Sequence, residues 1–221
     1  MLNQATRYYP ILDILGDASK GMILEVGSGS EGIGKFASAR FVGCDVTFPF
    51  VPGPRMLPVR GSAVALPFAD EAFESVVASD VIEHLEPAAR IVAMRELLRV
   101  TRRVCVIGFP RGKWASVAEK MLYVWYRLIG AAPPPWLDEH LRIGLPSLRE
   151  QNELLSAAGG TVRVKGNENV FCHLAVMMAE SINPIGGALA RFASRHPHAV
   201  RRMLALTRFS PFYRTIAVIR K

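Results

Sequence analysis

A short apolar run that ends abruptly in glycines constrains this chain more than any other feature. In Ile23-Leu24-Glu25-Val26-Gly27-Ser28-Gly29 the first four residues suit a buried strand, and the glycines cannot continue it. Glycine admits positive φ and lets a ligand approach the backbone closely. A helix beginning just after such a turn presents unpaired N–H groups to whatever lies there. The alternation then repeats. Strands are expected over 22–26, 41–46, 56–60, 75–79 and 104–109, and helices over 34–40 and 87–100. The second helix carries Ile91, Met94, Leu97 and Leu98 on one face.

Past residue 109 the pattern changes. Trp114, Val117, Ala118, Met121, Leu122, Trp125, Leu128 and Ile129 recur at helical spacing and read as a packing stripe, with the wall of an apolar channel as the other reading. Pro133-Pro134-Pro135 stops that helix. A helix over 148–158 closes on Gly159-Gly160. Residues 161–165 and 213–220 alternate as strands and are expected to pair at one sheet edge. The fold class is therefore α/β: a Rossmann-like, doubly wound, seven-stranded sheet with a C-terminal antiparallel edge pair. One domain over 1–221 is expected, with a helical insertion or lid at 111–146 and a basic helical insertion at 172–210. Ligands on such sheets bind at the carboxyl ends of the strands, where strand order reverses.

No apolar run reaches the roughly 18–20 residues that span a bilayer, and residues 1–10 lack a signal-peptide layout. Cys44, Cys105 and Cys172 lie far apart, in no metal-binding spacing, and read as reduced thiols of a cytoplasmic protein. The net charge is +8, but residues 1–180 hold 19 Lys and Arg against 19 Asp and Glu. Residues 181–221 hold the other eight basic residues and no acid. Three readings of that tail stay open: a solvated face of a packed helix, peripheral contact of 185–210 with an anionic inner-membrane surface, or a phosphate-bearing partner. No aromatic platform is interleaved with the arginines, which counts against nucleic acid.

Gly27, Gly29 and Gly32 also fit the dinucleotide fingerprint GxGxxG. Asp45, at the end of the second strand, suits the ribose of either a dinucleotide or S-adenosylmethionine. Three features separate the two. Glu25 is a carboxylate that would repel a pyrophosphate and accept a cationic α-amino group. The stretch 61–85 follows at a suitable distance. The edge pair closes the sheet where a dinucleotide fold would continue in parallel.

Residues 23–110 resemble the class I methyltransferases of the methyltransferase type 11 family. The resemblance rests on four blocks: Glu25-Val26-Gly27-Ser28-Gly29, Asp45, Leu66-Pro67-Phe68-Ala69-Asp70-Glu71-Ala72-Phe73, and Glu83-His84-Leu85. It implies methyl transfer from S-adenosylmethionine, with Glu25, Gly27, Ser28, Gly29, Asp45, Ser62, Ala63 and Ser79 around the cofactor. Glu31 and Ser62 depart from the family pattern, which has a glycine and an acidic residue there. The alternative is therefore an inactive binding module recruited to an anionic partner by its basic tail.

Methyl transfer is an in-line displacement and needs a base only when the acceptor must lose a proton. His84 and His140 are the candidate catalytic residues, the second within a stretch rich in aromatic and titratable groups at 136–140. Asp80, Glu83 and His84 form D-x-x-E-H, with first and last residues one helical turn apart. Such an oxygen-rich set would suit a hard cation, but no metal is expected. The acceptor is expected to be a small molecule, apolar or membrane-associated, with its nucleophilic atom unspecified.

Overall fold

The computed structural model describes residues 2–16, 21–37, 39–156 and 158–221. Strand β1 (Ile23–Val26) is buried at every position. Its neighbours β2 (Phe41–Asp45) and β4 (Phe73–Ser79) run parallel to it. A strand covered on both faces reads as a continuous apolar run, and Glu25 is its one polar exception. Beyond β2 lies β3 (Met56–Arg60), and beyond β4 lies β5 (Thr101–Pro110), both parallel. The last two strands are antiparallel: β7 (Phe212–Arg220) pairs with β5, and β6 (Thr161–Asn169) pairs with β7. The order β3-β2-β1-β4-β5-β7-β6 contains the expected edge pair. It reverses between β1 and β4, so the carboxyl ends of these strands and β2 frame a crevice.

One face of the sheet packs on α2 (Pro87–Val100) and α5 (Leu148–Ser156) through Ala93, Met94, Leu97, Leu98, Leu154 and Leu155. The expected helix end near 158 includes residue 157, which lies outside the described residues. The other face is covered by α1 (Leu2–Leu15), whose Tyr8, Ile11 and Leu15 meet Ile23, Phe41 and Val104. Sequence periodicity does not announce α1, because Pro10 interrupts it. Proline removes the N–H that would bond the carbonyl four residues back. Here that carbonyl, Thr6 O, accepts Asn167 Nδ2 at 3.3 Å instead.

The helix expected over 34–40 is absent from the described part of that span. A 3-10 turn at Gly32–Lys35 takes its place, and residue 38 lies outside the described residues. Two glycines within four residues disfavour an α-helix, and Gly32 sits at φ +48°.

Residues 111–146, expected as an insertion or lid, hold α3 (Gly112–Leu128) and α4 (Pro135–Ile143). Helices α6 (Val170–Ser181), α7 (Ile185–Arg195) and α8 (Pro197–Leu206) lie in the helical stretch expected over 172–210, with α6 starting two residues earlier. Ala193, Val200 and Leu204 pack against Leu2, Ala5 and Tyr9 of α1. Arg201 lies over the Tyr9 ring and bonds Asp13, whereas Arg191, Arg195, Arg202 and Arg208 are exposed. The stripe on α3 is only half a packing stripe. Ala118 and Leu122 are buried, but Trp114, Val117, Met121 and Leu128 face outward. No described helix is long and apolar enough to cross a membrane. The three cysteines are free.

Candidate functional site

The chain leaves β1 through Gly27 at φ +73° and Gly29 at φ +54°. A Cβ on Gly27 would collide with Val81 Cγ2, so this position requires glycine on two counts. Asp45, at the end of β2, steadies the turn. Its Oδ2 accepts the Gly29 N–H at 2.7 Å and its Oδ1 the Thr47 N–H at 3.1 Å. A carboxylate has about four acceptor sites, so acceptor capacity remains for a ligand.

Glu25 lies beneath the loop at 1% exposure. Its Oε2 accepts the Ile33 N–H at 2.6 Å, and the Tyr8 hydroxyl bonds the same carboxylate. Burial pushes its pKa up to about 7, against the pull of these hydrogen bonds and of Arg7. A Cβ on Gly32 would strike this carboxylate, which gives that glycine a steric reason.

Two cavities meet at Gly27 and Asp45. One, of about 410 Å³, is lined by Ser62, Ala63, Val81, Leu85, His84 and Glu139 among others. The second, of about 590 Å³, runs along Ser28, Gly29 and Gly32 toward Arg7 and Tyr8 of α1. Six of the eight expected cofactor residues therefore border these spaces: Gly27, Ser28, Gly29, Asp45, Ser62 and Ala63. Glu25 and Ser79 are buried and line neither. An adenosyl group fits this donor set: a carboxylate with free acceptor sites for a diol, and Ala63, Val81 and Leu85 as walls for a flat ring.

Asp80 borders the first cavity but is fully engaged. Arg214 grips both its oxygens at 2.8 Å, and Arg7 bonds Oδ2 at 2.8 Å. Arg214 also bonds Glu168 at 2.9 Å, and Glu168 accepts from Thr6 at 2.8 Å. Both guanidiniums hold the Asp80 carboxyl well below its usual range despite burial. The D-x-x-E-H spacing does not lie on one helix. Asp80 has φ +56°, and a 3-10 turn starts only at Ile82. The Asp80 carboxylate is thus taken up by the two arginines.

The two candidate histidines come together although 56 residues apart: their Nε2 atoms are 3.4 Å from each other. His84 Nδ1 pairs with Glu139 Oε2 at 2.8 Å, and His140 Nδ1 with Glu119 Oε1 at 2.8 Å. Arg90 is what docks their two segments, and the sequence reading did not single it out. Buried to 1% exposure, it donates to Ile82 O and Leu85 O on one side and to Gly144 O and Glu150 on the other. An arginine amid the apolar face of a predicted helix was the available signal. Glu83 is wholly buried, and burial together with the Asp80 charge pushes its pKa well up.

Residues 24–107 match the family model described as a methyltransferase domain. An uncharacterized methyltransferase of Mycobacterium leprae is 37% identical over 94 residues, covering 37% of this chain. The match spans about a third (33%) of that relative's length. Among solved structures, magnesium protoporphyrin IX methyltransferase from Synechocystis with bound SAH superposes with a TM-score of 0.55 at 12% identity, covering 99% of this chain and 84% of that one. Phosphoethanolamine N-methyltransferase 2 of Haemonchus contortus in complex with S-adenosyl-L-methionine gives 0.56 at 14% identity, covering 90% and 48%.

Proposed function

We propose that this chain, whose residues 24–107 belong to the methyltransferase domain family on a class I methyltransferase fold, moves a methyl group from S-adenosylmethionine to a small-molecule acceptor. One observation carries the reading: the glycine loop and Asp45 border the same cavity as His84. When bound, S-adenosylmethionine supplies an electrophilic methyl on a sulfonium. The remaining acceptor sites of Asp45 receive the ribose hydroxyls, and Gly27 lets the ligand lie close to the backbone. Ser62, Ala63, Val81 and Leu85 enclose the adenine. Glu25 keeps the loop in shape from below through its bond to the Ile33 N–H. The acceptor enters beside His84 and Glu139, where orientation alone can supply roughly 7–11 kcal/mol of the barrier reduction. An unprotonated Nε2 of His84, which lines the cavity, takes up a proton that an acceptor must lose, with His140 Nε2 3.4 Å behind it. Calorimetric titration with S-adenosylmethionine and with its demethylated product tests the reading. Saturable binding of both is expected, and no heat at millimolar ligand would refute it and leave an inactive module.

The acceptor side of the proposal includes peripheral contact of a cytoplasmic protein with an anionic inner-membrane surface, through the exposed arginines of 185–210 and through α3. Trp114, Val117, Met121, Val124 and Leu128 expose an apolar face on α3. Lys113, Lys120 and Arg127 are exposed on the same helix, and its only acid, Glu119, is buried. Apolar and basic groups together on one exposed helix favour an anionic lipid surface. The chain is expected to sediment with phosphatidylglycerol vesicles and not with phosphatidylcholine vesicles, and to lose this on Lys113→Glu/Lys120→Glu substitution. Equal recovery with both vesicle types would count against an electrostatic membrane contact.

A further inference from the structure

We infer that Glu83, His84 and His140 form a binding site for a divalent first-row transition-metal cation. One ligand atom from each lies within 4.8 Å of the others. The histidine pairings carry the argument first. Glu139 and Glu119 can only accept hydrogen bonds when ionised, so the Nδ1 atoms they touch carry the protons. A ring whose single proton sits on Nδ1 presents a bare Nε2 lone pair, and the two Nε2 atoms face each other at 3.4 Å. Two lone pairs at that distance repel. A cation shared between them turns the conflict into two bonds.

Glu83 points the same way by separate means. It is 0% exposed, and beyond its own backbone N–H neither of its oxygens has a hydrogen-bond partner among the described residues. A buried carboxylate so poorly partnered is costly, and a cation beside the two imidazoles would relieve that cost. The surrounding layer is also built for metal binding. Carboxylates on the outer nitrogens of imidazole ligands fix the rings and make them better donors. Glu119 is itself held by the Tyr213 hydroxyl at 2.8 Å. Two imidazole nitrogens and one carboxylate oxygen suit zinc, manganese, iron, cobalt or nickel; magnesium and calcium favour all-oxygen sets. Asp80 takes no part, being held by Arg7 and Arg214.

The site does not depend on the methyl-transfer reading, since a cation would bind whether or not S-adenosylmethionine does. It does compete with one element of it: a bound cation takes the Nε2 atoms that would otherwise accept a proton. His84 and Glu139 line the cavity, so a cation held here would border the acceptor's space.

The test uses the untagged full chain, stripped with a chelator and titrated calorimetrically with zinc, manganese and cobalt chlorides. Metal retained after desalting is counted by mass spectrometry, and cobalt is followed by its visible absorption. One cation per chain is expected. His84→Gln and His140→Gln should each weaken it by about 100-fold or more, and Glu119→Gln by about 10–100-fold, with far-UV circular dichroism unchanged. His84 is half-buried, which keeps its variant informative if Glu83→Gln or His140→Gln fails to fold. No binding at millimolar cation would overturn the proposal and leave a proton shared by the two rings. Unchanged binding in the His84→Gln/His140→Gln double variant would overturn it as well.

Discussion

Replacing Arg214 by alanine is expected to lower the unfolding free energy by about 3–5 kcal/mol, the usual cost of breaking a buried ion pair by removing one partner. For a chain of this size that corresponds to a melting temperature lower by roughly 10 °C. Arg214 is 3% exposed and serves two carboxylates, Asp80 and Glu168. Its loss would leave Glu168, also 3% exposed, with Thr6 and His173 as partners. Asp80 would keep Arg7 alone. Most of the loss comes from the stranded carboxylates. Asp80→Asn and Glu168→Gln combined with Arg214→Met should therefore recover much of it. Thermal unfolding of the two variants beside the parent decides the matter. A loss under about 1 kcal/mol for Arg214→Ala would place the network in the class of weak surface pairs.

Asp45→Ala is expected to weaken S-adenosylmethionine binding by roughly 1–3 kcal/mol through lost hydrogen bonds to a charged acceptor. That is about 5- to 150-fold in dissociation constant. Asp45 also ties the Gly29 N–H to the end of β2, so the substitution could act by loosening the loop. Asp45→Asn separates the two effects: the asparagine oxygen can still accept the Gly29 N–H, but one acceptor oxygen becomes a donor. An intermediate affinity with unchanged melting in the ligand-free protein assigns the loss to the ligand. Equal affinity in parent and Asp45→Ala would mean that the ribose lies elsewhere.

Where local chemistry decides structure, the sequence was readable. The run before Gly27 had to be a doubly covered strand, and the spacing of Asp45, Ser62 and Ala63 behind it placed one cavity wall. Residues 87–100 showed their helix by apolar period and by proline at its start. Distant compensation was not readable. Helix α1 tolerates Pro10 because Asn167, on the far side of the chain, serves the carbonyl that proline leaves idle. The Asp80 to His84 stretch looked like one helical turn, but the positive φ at Asp80 is tied to arginines 73 and 134 residues away. His84 and His140 could each be named from their surroundings. Their meeting depends on Arg90, whose four bonds reach carbonyls and a carboxylate that no local period reveals.

The grip of Arg7 and Arg214 on Asp80 also bears on the moment in synthesis when the crevice becomes competent. Chains emerge N-terminus first and domains tend to fold as units. The glycine turn and Asp45 leave the ribosome long before Arg214 does. Until then Asp80, on the crevice wall, has only Arg7 to neutralise it, and β5 has not gained its antiparallel neighbour. A nascent chain halted before β7 therefore holds every residue of the glycine turn and still lacks a finished pocket. Ligand capture therefore follows the pairing of β7 with β5 and the arrival of Arg214 at Asp80.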